Sequence, residues 1–120
     1  MSGAEKVRRL DIMLMVTGLR CRNTADAFTT EYGRFTTRHI TELNAASDAL
    51  RTERGGVRAL DRLSTTMANA YGQGHPWLNC AELKEIVADL AEARGPGALE
   101  DAADVLLSDR ETTRWALARR

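Results

Sequence analysis

Residues 4–20 read AEKVRRLDIMLMVTGLR, and the directions in which these side chains point decide the fold class. Placed on a helix of 3.6 residues per turn, Val7, Leu10, Ile12, Met13, Leu14, Met15, Val16 and Leu19 occupy nearly every direction around the axis. A helix clothed in this way must be covered on several sides, so it belongs in the centre of a helical bundle. The uninterrupted run from Ile12 to Val16 is too short to span a bilayer. It also fails as the core of an export signal. Asp11 opens it, Thr17 and Gly18 break it, and Arg20 stands where a cleavage or lipidation site needs a small residue.

The rest of the chain agrees with that centre. A length of 120 residues suits one domain with one core, here residues 1–120 as a single helical domain. Aromatic residues make up only 5%, while alanine, leucine, arginine and glutamate abound, which favours helices packed through aliphatic side chains over a sheet. The 17 basic and 17 acidic side chains cancel, leaving no net field to draw the chain onto nucleic acid or an anionic membrane.

Asn23 or Thr24 can cap a second helix, along which Phe28, Tyr32, Phe35, His39, Leu43, Ala46 and Leu50 recur by threes and fours as one stripe. This predicts a single long helix running to the stop at Gly55-Gly56, with His39 as a largely buried core or boundary residue on the Phe35 and Leu43 face, and Gly33 either weakening the helix or permitting close approach of a neighbour. Val57, Leu60, Leu63, Met67 and Tyr71 predict a third helix, ended by Gly72 to Gly74. Asn79 followed by Glu82 has the form of a capping box, with Leu78 and Leu83 placed as a hydrophobic staple. Leu83, Ile86, Val87 and Leu90 are then the apolar face of a fourth helix, closed by Gly95-Pro96-Gly97. Beyond it, Leu99, Ala103, Leu106, Thr113 and Leu117 predict one or two more, with Ser108 and Glu111 as a second capping box. The expectation is an all-α, single-domain bundle of four to six helices.

Few residues here carry chemistry. Cys21 closes the first helix and Cys80 opens the fourth; an even count and two helix-end positions favour a disulfide, against two reduced buried thiols or a zinc site. The metal reading is weak, because Cys21, His39, His75 and Cys80 show no paired short spacing. Gly72-Gln73-Gly74 lacks the preceding strand of a dinucleotide loop, and no histidine stands with a serine or cysteine in a catalytic motif. Glu31, Asp61 and Ser64-Thr65-Thr66 read as solvated or locally bonded helix positions. Neither an enzyme nor a bound cofactor or metal is expected. His75, restricted by Pro76, and Trp77 read as the anchors of a loop.

Three segments carry a resemblance: RRLDIMLMVTGLRCRNTADAF (8–28), ALDRLSTTMANAYGQGHPWLNCAELK (59–84) and LAEARGPGALEDAADVLL (90–107). Together they resemble a group of small bacterial proteins of no assigned activity, normally made with an export signal ahead of the arginine-leucine-aspartate segment. The likeness runs from about Val7 to Leu107 and is most specific around the two cysteines. It implies a periplasmic or secreted mature domain with Cys21 and Cys80 paired in an oxidising compartment. Met1-Ser2-Gly3 stands where the group has its signal. The expected role is a protein- or envelope-binding module, with Gln73, His75, Trp77 and Trp115 as candidate surface. The alternative is a cytoplasmic adaptor or inhibitor that blocks a protein partner.

Overall fold

A computed structural model describes residues 1–108, which form six α-helices and, among the described residues, no strand. They are α1 (Gly3–Cys21), α2 (Thr29–Arg38), α3 (Ile40–Arg54), α4 (Val57–Ala70), α5 (Cys80–Glu92) and α6 (Ala98–Leu106). The expected all-α bundle is therefore the observed architecture, and α1 is its axis, touching all five other helices. Leu10, Met13 and Leu14 are wholly inaccessible to solvent, with Val7, Ile12 and Cys21 nearly so. Ser2 caps α1, its Oγ accepting the Glu5 amide at 3.1 Å. The Glu5 carboxylate does not complete that cap, because Arg9 of α1 and Arg54 at the end of α3 take its two oxygens at 3.1 and 2.6 Å. The Arg54 contact pairs the end of α3 with the start of α1, so the two run antiparallel.

Arg8 adds a clamp that no sequence pattern announces. Its guanidinium donates to Ser47 on α3 at 3.3 Å and to Ser64 on α4 at 3.2 and 3.4 Å, joining three helices through one side chain. Thr65 and Thr66 bond the carbonyls of Asp61 and Arg62 one turn back, the local bonding expected of this run, whereas Ser64 is drawn into the clamp.

The single long second helix is not formed. Thr24 caps nothing; its hydroxyl donates to the Cys21 carbonyl at 2.7 Å and accepts from the Asp26 amide at 3.2 Å, building a turn instead. The next helix starts only at Thr29, because Phe28, fully buried, pins the returning chain to α1. It does so at Gly18, where a Cβ would lie 3.3 Å from the phenyl ring. A second departure falls at His39, which leaves helical geometry (φ −111°, ψ 18°) and separates α2 from α3. The stripe continues across the break, but its halves have different partners: α2 lies on α5 and α3 on α1. The chain bends to serve both.

The glycine stop behaves as expected. Gly55 is left-handed (φ 88°), and the Gly56 amide reaches back to the Arg51 carbonyl at 2.8 Å. Val57, expected in the core, is 58% exposed instead, because α4 lies at the edge of the bundle and its first turn faces outward; Met67 is its buried residue, followed by Tyr71 just past its end. Of the two readings of Gly33, close approach of a neighbour is not the one formed, since nothing lies within 4 Å of the Cβ it lacks and the position opens to solvent. Leu83, Ile86, Val87 and Leu90 are all buried, and α5 ends at Glu92, before the Gly95-Pro96-Gly97 stop. The expected Ser108–Glu111 cap and the apolar positions Thr113 and Leu117 involve residues beyond 108 and lie outside the described residues.

Candidate interaction surface

The loop between α4 and α5 is built from its own side chains. Tyr71, buried, ends α4, and the Gly74 amide returns to the Tyr71 carbonyl at 2.9 Å. Arg20 of α1 crosses the loop and donates to the Gly72 carbonyl at 2.9 Å. Pro76 disfavours helical geometry at His75, and the imidazole is the centre of the loop. Its Nδ1 faces the backbone amides of Trp77 and Leu78 at 3.2 and 3.1 Å, and its Nε2 faces the Leu106 carbonyl at 2.7 Å. Amides only donate and a carbonyl only accepts, so the ring is neutral, unprotonated at Nδ1 and protonated at Nε2. Burial pushes the imidazole below its ordinary pKa, partly opposed by the Leu106 carbonyl and the Glu82 carboxylate.

Trp77 stands edge-on to His75, ring centres 4.8 Å apart, and its indole N–H donates to the Ser108 carbonyl at 3.2 Å. Two side chains of the loop thus satisfy carbonyls at the C-terminal end of α6, where a helix leaves such groups unpaired. Asn79 completes the predicted capping box: its side chain accepts the Glu82 amide at 2.8 Å, and the Glu82 carboxylate accepts the Asn79 amide at 3.0 Å. Leu78 is half-buried against the core cluster that contains Leu83. Immediately after the cap, Cys80 is bonded to Cys21, with α-carbons 5.8 Å apart. Both sulfurs are spent in that bond, which removes half the donors from the zinc reading; among the described residues, no group of three or more histidine, cysteine or acidic side chains could hold a metal ion.

The candidate surface residues are thereby sorted. Gln73 and His75 line a cleft of about 700 Å³ together with Met1, Arg9, Tyr71 and Leu107. Trp77 is half-buried, turned onto the core and the end of α6 instead of toward the cleft. Trp115 lies outside the described residues. Arg9 has no sequence signal as a wall of the cleft, because nothing in its neighbourhood separates it from Arg8; its Nη2 bonds Glu5, while its buried Nε has no hydrogen-bond partner. His39 is half-buried at the boundary of the core, one of the two placements expected of it, with Nε2 2.8 Å from the Leu90 carbonyl and its ring against Phe35. A shallower groove of about 440 Å³ lies along α2, between Thr30, Arg34, Arg38 and Glu92.

Away from the loop, Glu5 and Asp11 are among the titratable groups that are perturbed. Burial works to raise the Glu5 carboxyl, but the hydrogen bonds and charges of Arg9 and Arg54 outweigh it and hold the group below its ordinary value. Asp11 is raised by burial, opposed by the Tyr32 hydroxyl that donates to it at 2.7 Å and by the charge of Arg8. Among the described residues no helix is long and apolar enough to cross a membrane. Compared with protein-family models, curated proteins and solved structures, the chain matches none.

Proposed function

We propose that this chain is the mature domain of a small exported helical protein that acts by binding another protein, or the cell envelope, through the cleft beside the 72–76 loop. The observation that carries the reading is the way the loop is held. Arg20 fixes Gly72, His75 and Trp77 fix the end of α6, and the Cys21–Cys80 bond fixes the start of α5, while Gln73 and Pro76 stay exposed. A surface ordered before its partner arrives loses little conformational freedom on binding. Binding is favoured over catalysis because both ring nitrogens of His75 are engaged by the backbone, which leaves the cleft's histidine no free base. Export is supported by the disulfide, a bond that persists in oxidising compartments, and by the likeness to exported bacterial proteins around the two cysteines.

Two measurements test this. Thiol trapping in the producing cells should find Cys21 and Cys80 oxidised in the envelope or medium fraction; reduced thiols in the cytosol would replace the reading with the intracellular adaptor or inhibitor. A photo-reactive side chain at position 73 should cross-link one partner, with competition by unlabelled protein, while the same group at Thr65, exposed on α4 outside the cleft, should not. Equal cross-linking from both positions would remove the cleft from the proposal.

A further inference from the structure

We propose that His75 is a proton-operated latch: neutral, it holds the 75–78 segment to itself and to the end of α6, and protonation at Nδ1 releases that segment. The device lies in the geometry of one ring. Nδ1 accepts two amides at once, from Trp77 at 3.2 Å and Leu78 at 3.1 Å, while Nε2 donates to the Leu106 carbonyl at 2.7 Å. A proton arriving from solvent at Nδ1 turns the acceptor into a donor facing two donors. All three N–H groups then point at one another, and the contact becomes repulsive. The ring must swing away, and its Nε2 leaves Leu106 with it. Trp77, whose indole bond to Ser108 depends on the same local fold, loses its footing on α6. The cleft changes with the latch, because His75 is one of its walls.

The groups facing the ring come from every element packed there. Tyr71, at the end of α4, lies alongside with ring centres 6.3 Å away, and Trp77 stands edge-on. The carboxylate of Glu82 on α5 and the Leu106 carbonyl of α6 both favour a positive ring. Arg9 of α1 lines the same cleft and Arg20 of α1 lies over the loop at Gly72 and Gly74; both carry positive charge, which opposes it. Burial outweighs the favourable contacts, so the closed ring binds its proton more weakly than an open one. The closed state is therefore fully favoured above the open ring's pKa, 6.5, and loses its advantage as pH falls below it. At pH 5 an open ring with that pKa is over nine-tenths protonated, and the opening equilibrium rises by up to about thirty-fold over its value at neutral pH. Such local opening needs no global unfolding.

The test uses the full chain with its disulfide intact. Solvent exchange of the Trp77 and Leu78 amides, read by nuclear magnetic resonance and corrected for the intrinsic pH dependence of exchange, is compared at pH 7.5 and pH 5. The wild type should lose protection by up to about thirty-fold. His75→Asn supplies a non-titrating oxygen that can accept the same two amides in an Asx turn, and should show no such loss. A wild-type change below two-fold would overturn the latch. So would an equal change in His75→Asn, which would assign the effect to groups other than His75. The ring nitrogens of wild-type His75 give a second reading that requires no variant. Nδ1 should be bare at pH 7.5, and its protonation should share one midpoint with the loss of amide protection. A proton on Nδ1 at pH 7.5, or two separate midpoints, would refute the proposal.

Discussion

Replacing both Cys21 and Cys80 by alanine is expected to lower the stability of the folded state by about 4 kcal/mol while leaving the helices in place. The magnitude follows from the loop the bond closes. Its ends are 59 residues apart in sequence, and the loss of chain entropy on closing a loop of that length in the unfolded state amounts to about 4 kcal/mol. The native side of the balance changes less. Cys21 is 3% exposed and Cys80 is half-buried, so the two missing sulfurs leave only a small void, and loop closure dominates the total. The fold itself should persist, since α1 packs against α2, α3, α4 and α6 whether or not it is tied to α5. Urea unfolding followed by far-ultraviolet circular dichroism is the assay. With a slope of about 2 kcal/mol per molar for a domain of this size, the midpoint should fall by roughly 2 M, and reductant added to the wild type should reproduce the shift. A fall under roughly 0.5 M, about 1 kcal/mol on the same slope, would refute the loop-closure argument. Two free thiols in wild-type protein purified without reductant would refute the bond itself.

Asn79→Ala removes one half of the capping box and should cost about 1 kcal/mol without altering the fold; an unchanged denaturation midpoint would show that the cap contributes nothing. Phe28→Ala, at a fully buried ring, should cost about 3–5 kcal/mol, whereas Val57→Ala, 58% exposed, should stay within about 0.5 kcal/mol; similar losses at both sites would mean that the outward turn of α4 is wrong. Because Glu5 is held below its ordinary pKa of 4.5, its ion pairs stabilise the fold fully above that value and lose this effect as pH falls below it, through the lowered pKa of the folded state. The wild type should therefore unfold at higher urea than Glu5→Gln at pH 7, and the difference should shrink toward pH 3; a constant difference across that range would count against the Arg9 and Arg54 contacts.

What is legible in the sequence is written in neighbouring residues. The buried α1, the glycine stop after Arg54, the Asn79–Glu82 box and the apolar face of α5 each rest on side chains within a turn or two of one another, and local spacing determines such features almost regardless of what surrounds them. For the pairing of Cys21 with Cys80 the sequence offers only a preference, because two helix ends identify candidates but not the distance between them. The tertiary structure alone decided the rest. His39 interrupts an unbroken stripe because α2 and α3 pack on different helices, a fact no periodicity encodes. Val57 has the spacing of a core residue, yet it faces solvent at the bundle's edge. Arg8 finds serines 39 and 56 residues away. The imidazole of His75 meets a carbonyl 31 residues along the chain. Hydrogen bonds to the backbone of a distant helix leave no trace in the identity of the residue that accepts them, since every residue carries the same carbonyl; the loop's composition therefore shows that it is an anchor, and only the packing of α6 shows what it is anchored to.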